Sequence, residues 1–303
     1  MRPTAGPASV PDVLDVVDVV SPHPRPGARD LVIEVPHGAQ GAAEYEAVAS
    51  RLQSPLPAGL IDFFHVNTDS GAAELGEALA VRLCASGAVR RAYLIRSRIP
   101  RTFIDCNRVL GGDAAAYRAG GVTPGVPPWV THPDDHALLL GLYTAYQAVA
   151  GATINRVCAA EGRAVLLHTY APRSVDVEVS MNIVPDLHAA YADPERWPLR
   201  PEVDLIFRKP DGSRALPDPT VDALRKALAA IGVPMAEGVT YPLHPITTGY
   251  AHVVAWPGRV VCVEVRRDLL TEAFVPFQEV VASPNRVEPL AEAFAAFAEN
   301  GWG

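Results

Sequence analysis

The sequence has little lysine and no cluster of basic residues. Only 2 of its 303 residues are lysine, and 34 acidic residues outnumber the 26 lysines and arginines, which gives a net charge of −8. Binding of nucleic acid needs basic side chains grouped on one surface. We therefore expect no nucleic-acid partner.

Signals for membrane insertion, secretion and disulfide formation are also missing. No apolar run approaches the roughly 20 residues that a membrane-spanning helix needs, so we expect no membrane association. The first ten residues lack the apolar centre of a secretory signal, and the expected location is the cytoplasm. The four cysteines show no C-x-x-C spacing, which favours buried thiols over disulfides or a zinc knuckle.

Apolar runs that alternate with helical patterns predict an α/β fold. We expect one domain over residues 1–303, built on a central mixed, mostly parallel β-sheet with helices on both faces. The predicted strands are residues 13–20, 31–35, 88–96, 163–167, 203–207 and 259–265, and the predicted helices are residues 42–52, a segment from near Ser70, 134–160, 218–231 and 287–298. Residues 1–12 are expected to be flexible, with long loops near the site at 109–133 and 169–201.

Polar residues stand at or near the ends of three predicted buried strands. They are His37, His168 and Glu264. A buried polar group without a partner costs several kcal/mol, and open α/β sheets place their chemistry at the carboxyl ends of their strands. Three such residues together indicate a shared site, although each histidine alone could bond a loop and Glu264 could pair with Arg266 or Arg267.

His37 and His168 are candidate zinc ligands. A catalytic zinc takes three protein ligands and leaves a fourth position for water. Asp69 is the candidate third ligand, with the helix N-cap as its alternative role. Water with a lowered pKa could then attack a carbonyl group, while Glu264 would take its proton and pass it to the leaving nitrogen.

Residues 101–108 read Arg-Thr-Phe-Ile-Asp-Cys-Asn-Arg and place two guanidiniums around an apolar run. In an extended segment Arg101, Asp105 and Asn107 would share one face, and a kink near Asn107 would bring Arg108 to the same pocket. Arg101 would then polarise a carbonyl group, and Asn107 with Arg108 would hold a carboxylate. The alternative is an arginine paired with Asp105 at the end of a loop.

Five short blocks lie in order along most of the chain. They are residues 35–39 (Val-Pro-His-Gly-Ala), 68–72 (Thr-Asp-Ser-Gly-Ala), 101–108, 167–173 (Leu-His-Thr-Tyr-Ala-Pro-Arg) and 263–270 (Val-Glu-Val-Arg-Arg-Asp-Leu-Leu). As an ordered set they resemble the N-formylglutamate amidohydrolase family. The block 101–108 also resembles the substrate-binding segment of aspartoacylases and zinc carboxypeptidases, which share the wider fold.

This resemblance implies a hydrolase with one zinc per chain that cleaves the amide of an N-acylated acidic amino acid, a small-molecule carboxylate. Zinc carboxypeptidases take a histidine and a glutamate ligand three residues apart, and Gln40 occupies the second place here. Asp69 is therefore the expected substitute and Glu44 the alternative. The resemblance assigns the other residues as follows: His37 and His168 to the metal, Glu264 to the catalytic carboxylate, Arg101 to the carbonyl polariser, and Asn107 and Arg108 to the carboxylate clamp. We add Arg173 to the substrate-binding residues, with a place on the loop surface as its alternative.

Two segments depart from the pattern of that family. Residues 241–250 read Tyr-Pro-Leu-His-Pro-Ile-Thr-Thr-Gly-Tyr where the family has a Gly-rich, Arg-containing segment, and Tyr-Ala-Pro-Arg stands near His168 in place of Ser-Ile. Both differences bear on the substrate, so the acyl group and the amino acid stay open, as does the oligomeric state. A carboxypeptidase-like metallopeptidase and a non-catalytic carboxylate-binding module are the alternative functions.

Overall fold

A mixed β-sheet forms the centre of the protein. The structure, a computed structural model, describes residues 6–302 apart from the side chain of Ala114. Its strands are Leu14–Val20 (β1), Arg29–Val35 (β2), Val89–Ser97 (β3), Arg163–Tyr170 (β4), Val203–Leu205 (β5), Met235–Glu237 (β6) and Val260–Arg266 (β7). They pair in the order β1-β3-β2-β4-β7-β5-β6. The pairs β1–β3 and β5–β7 are antiparallel and the other pairs are parallel.

Helices cover both faces of this sheet. They are Ala42–Ala49 (α1), Leu60–Asn67 (α2), Ala72–Ala85 (α3), Ala114–Ala119 (α4), Pro133–Ala159 (α5), Ile183–Tyr191 (α6), Asp218–Ala229 (α7), Thr248–Ala255 (α8) and Pro284–Asn300 (α9). One hydrophobic core lies between the sheet and α1, α2, α5, α6 and α8. The second lies between the sheet and α3, α7 and α9. The predicted α/β fold with helices on both faces is confirmed.

The central strands are buried on both sides. In β2, Val32 packs in the first core, whereas Leu31 and Ile33 pack in the second. In β4, Leu166 and Leu167 divide in the same way. A strand covered on both faces needs an unbroken apolar run, which is why these strands could be predicted from the sequence.

The long helix α5 crosses the first face of the sheet and packs against β2 and β4. It follows the predicted helix 134–160 closely, and the Tyr146 hydroxyl donates to Glu34 Oε1 in β2 at 2.9 Å. By length and composition alone, α5 is the one helix among the described residues that would suffice to cross a membrane. The absence of a membrane partner therefore stays a prediction.

Residues 101–108 form turns instead of the extended segment considered above. The backbone N–H of Phe103 donates to the carbonyl of Pro100 at 3.0 Å, and that of Arg108 to the carbonyl of Asp105 at 3.2 Å. Because these local bonds replace strand pairing, the expected alternation of side chains between two faces is wrong. Helices α2, α4, α6 and α8 lie where no helix was predicted.

Several smaller predictions can also be compared with the structure. All four cysteines are free and buried, as predicted. The predicted loops 109–133 and 169–201 contain α4 and α6, respectively. Val10 forms an isolated bridge to Leu14, while residues 1–5 lie outside the described part. The flexibility of residues 1–12 and the single-domain organisation stay predictions.

Candidate metal centre and active site

Three chain segments meet at the carboxyl edge of the sheet. His37 lies two residues beyond β2, His168 lies in β4, the parallel neighbour of β2, and Asp69 precedes α3. The backbone N–H of Asp69 donates to the carbonyl of His37 at 3.1 Å, which fixes the two turns together. The turn after His37 needs glycine because a Cβ on Gly38 would lie 2.5 Å from the side chain of Arg96.

His37, Asp69 and His168 form a compact buried cluster. Asp69 Oδ2 lies 3.1 Å from His37 Nδ1 and 3.0 Å from His168 Nδ1. The candidate ligand atoms of the three residues lie within 4.8 Å of one another, and each side chain is almost fully buried. Among the described residues, this is a group that could hold a metal ion.

The charges in this cluster favour a cation between the two imidazoles. Burial alone would raise the pKa of Asp69, but His37 and His168 hold it far below its ordinary value. Burial also acts against protonation of His168, yet the hydrogen bond to Asp69 raises its pKa well above the usual range. Either a proton or a metal ion bound among these side chains would balance the negative charge of Asp69.

The surroundings of His37 fit metal binding. Its Nε2 lies 2.7 Å from Asp105 Oδ1. An ionised carboxylate can only accept a hydrogen bond, so Nε2 carries the proton and Nδ1 faces Asp69 as a possible ligand. Two imidazole nitrogens and one carboxylate oxygen are a donor set that zinc takes in catalytic sites. The residues present therefore fit a zinc ion.

Asp69 is not the N-cap of α3, which is Gly71. Its carboxylate is directed to the two histidines instead, so the N-cap interpretation is wrong. Glu44, the alternative third ligand, accepts from the backbone N–H groups of Gln40 and Gly41 and pairs with Arg96. These contacts tie Glu44 to the start of α1 and leave it outside the cluster.

Glu264 lies beside His168 across the β4–β7 pair. Its Oε2 is buried and has no hydrogen-bond partner among the described residues. Burial raises the pKa of Glu264, and the opposing influence of His168 does not cancel this effect. The ion pairs of Arg266 and Arg267 involve other acidic residues, so the structure does not show the alternative pairing of Glu264 with either arginine.

Arg101 and Arg108 both pair with the carboxylate of Asp105. Nη2 of Arg101 donates to Asp105 Oδ2 at 2.8 Å, and Nη2 of Arg108 lies 3.2 Å from the same oxygen. The structure thus contains the alternative ion pair with Asp105. Arg101 also comes within 3.9 Å of Asp69 Oδ1. Burial lowers the pKa of Arg101, but Asp105 and Asp69, with smaller contributions from Tyr241 and Glu264, raise it overall.

The other predicted substrate-binding residues are already engaged by the protein. Asn107 Oδ1 accepts from Thr248 Oγ1 at 3.0 Å and thereby holds the start of α8. Arg173 pairs with Glu195 and donates to the carbonyl of Trp197 at 2.8 Å. None of the contacts described for Arg173 is with the metal cluster. Binding of substrate by Asn107, Arg108 and Arg173 stays a prediction.

Two residues of this site were not assigned to it from the sequence. Asp105 contacts His37 and both arginines and is 1% exposed. The feature of the sequence that could have identified it is a carboxylate inside an apolar run. Arg267 donates to the carbonyl of Val66 at 2.6 Å and lies 4.0 Å from Asp69 Oδ1. Burial lowers the pKa of Arg267 to about 10. Nothing in the sequence distinguishes it from Arg266.

Comparison with known proteins identifies similar folds at low sequence identity. No family model and no curated protein sequence matches the chain. The crystal structure of N-formylglutamate amidohydrolase from Ralstonia eutropha JMP134 is 16% identical, with 94% of this chain and 97% of that chain covered and a TM-score of 0.59. A gene product of Agrobacterium tumefaciens is 15% identical, with coverage of 93% and 92% and a TM-score of 0.51. The chain therefore shares the fold of these two proteins.

Proposed function

We propose that the protein is a zinc-dependent amidohydrolase that cleaves the C–N bond of an N-acyl amino acid or a related small carboxylate. The observation that carries this proposal is the buried His37–Asp69–His168 cluster beside Glu264, whose Oε2 has no partner among the described residues. The similarity in fold to an N-formylglutamate amidohydrolase supports the same class of reaction.

His37, Asp69 and His168 would hold the zinc ion. Bound there, zinc would act as a Lewis acid that lowers the pKa of water and polarises a carbonyl group. Asp105 keeps the His37 ring in the orientation that directs Nδ1 into the cluster. The negative charge of Asp69 balances part of the charge of the cation.

Glu264 would act as the general base and then as the general acid. Its raised pKa favours uptake of a proton from the attacking water by the carboxylate, which would then release it to the leaving nitrogen. Oε2 has no hydrogen-bond partner within residues 6–302, so no described protein contact has to break before the proton is taken up.

Arg101 would stabilise the negative charge that develops on the carbonyl oxygen. It is the more exposed of the two arginines on Asp105, with 18% of its side chain accessible compared with 5% for Arg108. Asp105 fixes its direction, and Arg101 remains charged at any working pH because its pKa is raised. A fixed, charged donor of this kind is what stabilisation of an oxyanion requires.

The first test combines metal content with substrate selectivity in the wild-type protein. Elemental analysis should find about one zinc per chain. N-formyl and N-acetyl amino acids should be hydrolysed, and a short peptide with a free C-terminus should not be. Purified protein that contains no metal and takes up none when zinc is supplied would contradict the metal site. Hydrolysis of the peptide alone would favour the metallopeptidase.

Asp105→Asn should weaken zinc binding by about 10- to 100-fold, since residues that orient metal ligands have effects of this size. Asparagine can still accept a hydrogen bond from His37 Nε2. It is neutral, however, so the negative charge that pairs with both Arg101 and Arg108 is lost. The affinity would be measured by competition with a chelator.

Asp135→Asn is the matched control for this substitution. Asp135 is also 1% exposed, but it accepts from Gln53 and Ser54 near the start of α5. Its replacement should leave zinc affinity unchanged. Wild-type affinity in Asp105→Asn would show that the negative charge of Asp105 does not contribute to zinc binding.

A further inference from the structure

Two tyrosine rings contact the guanidinium of Arg200 near the candidate site. Its guanidinium carbon lies 5.1 Å from the centre of the Tyr170 ring and 5.8 Å from that of Tyr241. Nε donates to Ser174 Oγ at 3.0 Å, and Nη2 donates to the Tyr241 hydroxyl at 3.2 Å. Stacking and hydrogen bonds of this kind fix the plane of an arginine.

The position of Tyr170 places Arg200 close to the proposed catalytic residues. Tyr170 is the last residue of β4 and lies two positions beyond His168, so both side chains are on the same face of the strand, about 7 Å apart. Glu264 faces His168 from β7. The backbone carbonyl of Arg200 accepts from Arg266 Nη1 at 2.9 Å, which ties this segment to the end of the same strand.

Arg200 forms no ion pair with a carboxylate of the described residues. Arg101 and Arg108 share Asp105, and Arg173 pairs with Glu195. For Arg200, in contrast, no carboxylate oxygen within residues 6–302 lies within 4.0 Å, and its hydrogen bonds go to neutral acceptors. A guanidinium in this state retains the charge that an anionic ligand needs.

The donors of Arg200 are also incompletely used. A guanidinium has five N–H groups. One on Nε, one on Nη1 and one on Nη2 bond to Ser174, the carbonyl of Ala171 and Tyr241. One N–H therefore remains on each terminal nitrogen. A pair of N–H groups on the two terminal nitrogens matches the two oxygens of a carboxylate.

We infer that Arg200 is the residue that binds the carboxylate of the substrate, with Tyr170 and Tyr241 holding its guanidinium in place. This inference rests on the proposed hydrolysis of an N-acyl compound and deepens it. It assigns the substrate-binding charge to a residue that the resemblance did not indicate. It also requires a substrate whose carboxylate is free, because an ester or an amide at that position has no charge for Arg200 to bind.

The test compares N-formyl and N-acetyl amino acids with their carboxamides, in wild type and in Arg200→Gln. Wild type should prefer the carboxylates. Arg200→Gln should raise KM for the carboxylates by roughly 10- to 100-fold, the effect of losing charge-assisted hydrogen bonds, with little change in kcat. KM for the carboxamides should not change. Arg200→Lys should restore part of the preference, because lysine keeps the charge without the planar fork.

Arg196→Gln is the matched control because it removes an arginine from the same segment. Arg196 is exposed and stacks on Trp197, with its guanidinium carbon 4.6 Å from the ring centre. This variant should keep the wild-type preference. Zinc content and the thermal unfolding midpoint of all variants would show whether a change in KM reflects loss of the fold.

Compounds that wild type does not hydrolyse would be compared by calorimetric binding, which separates this inference from the proposed function. If nothing is hydrolysed but carboxylates still bind better than carboxamides in an Arg200-dependent way, the proposed reaction fails and the role of Arg200 stands. Hydrolysis with an equal carboxylate preference in wild type and Arg200→Gln would overturn the inference alone. If wild type neither binds nor hydrolyses any of these compounds, both are wrong.

Discussion

Glu264→Gln is expected to lower kcat by about 10²- to 10⁴-fold, the usual contribution of general acid–base catalysis, and to leave the zinc content unchanged. Glutamine has the shape of glutamate but cannot take up a proton from water. Oε2 of Glu264 has no hydrogen-bond partner within residues 6–302, so the substitution breaks no described contact of that atom. Steady-state kinetics and elemental analysis of the same preparation would measure both effects.

Glu34→Gln is the matched control for this variant. Glu34 is a buried carboxylate in β2, 4% exposed, that accepts a hydrogen bond from the Tyr146 hydroxyl of α5. Glutamine can accept the same hydrogen bond, and turnover should stay at the wild-type level. Full activity in Glu264→Gln would show that Glu264 does not act as the general base. Loss of zinc in that variant would indicate that Glu264 has a structural role instead.

The central strands could be predicted because a strand that is buried on both faces needs an unbroken apolar run in the sequence. The runs at 31–35, 163–167 and 259–265 each lie within an observed strand or overlap nearly all of it. The sequence patterns of helices α2 and α8 are less informative, since each helix has only eight residues. An apolar segment of that length has too few turns to distinguish a helix from a strand by periodicity.

Part of the candidate site could be predicted for the same reason. His37 and His168 stand where an apolar strand ends, and strands that are parallel neighbours bring their ends together. Asp69 was proposed as a ligand from its place before a helix and from the resemblance, and it lies between the two histidines.

The partners of the arginines could not be predicted, because each pairing depends on how loops fold over one another. Arg173 lies only five positions after His168 in the sequence, yet Glu195 and Trp197 engage it. Arg200 lies much further along the chain, but stacking on Tyr170 brings it close to His168. Distance along the sequence therefore does not indicate which of these loop arginines packs beside β4.

His168→Ala is expected to abolish both zinc binding and hydrolysis. The substitution removes one of the three candidate ligands and leaves Asp69 with His37 alone, which is fewer than the three protein ligands of a catalytic zinc. It also removes a hydrogen bond of 3.0 Å to the buried Asp69 carboxylate. The resulting loss of stability should be about 1–3 kcal/mol. Thermal unfolding of wild type and variant in the presence of a chelator would measure this loss separately from the loss of metal.

His65→Ala provides the comparison for removing a buried imidazole. His65 lies in α2, is 8% exposed, and its Nδ1 has no hydrogen-bond partner among the described residues. This variant should be destabilised by loss of packing but should retain zinc and activity. If His168→Ala retained the zinc content of wild type, the metal would have to lie elsewhere. The pKa of His168, raised by its hydrogen bond to Asp69, would then report a buried ion pair that stabilises the carboxyl edge of the sheet.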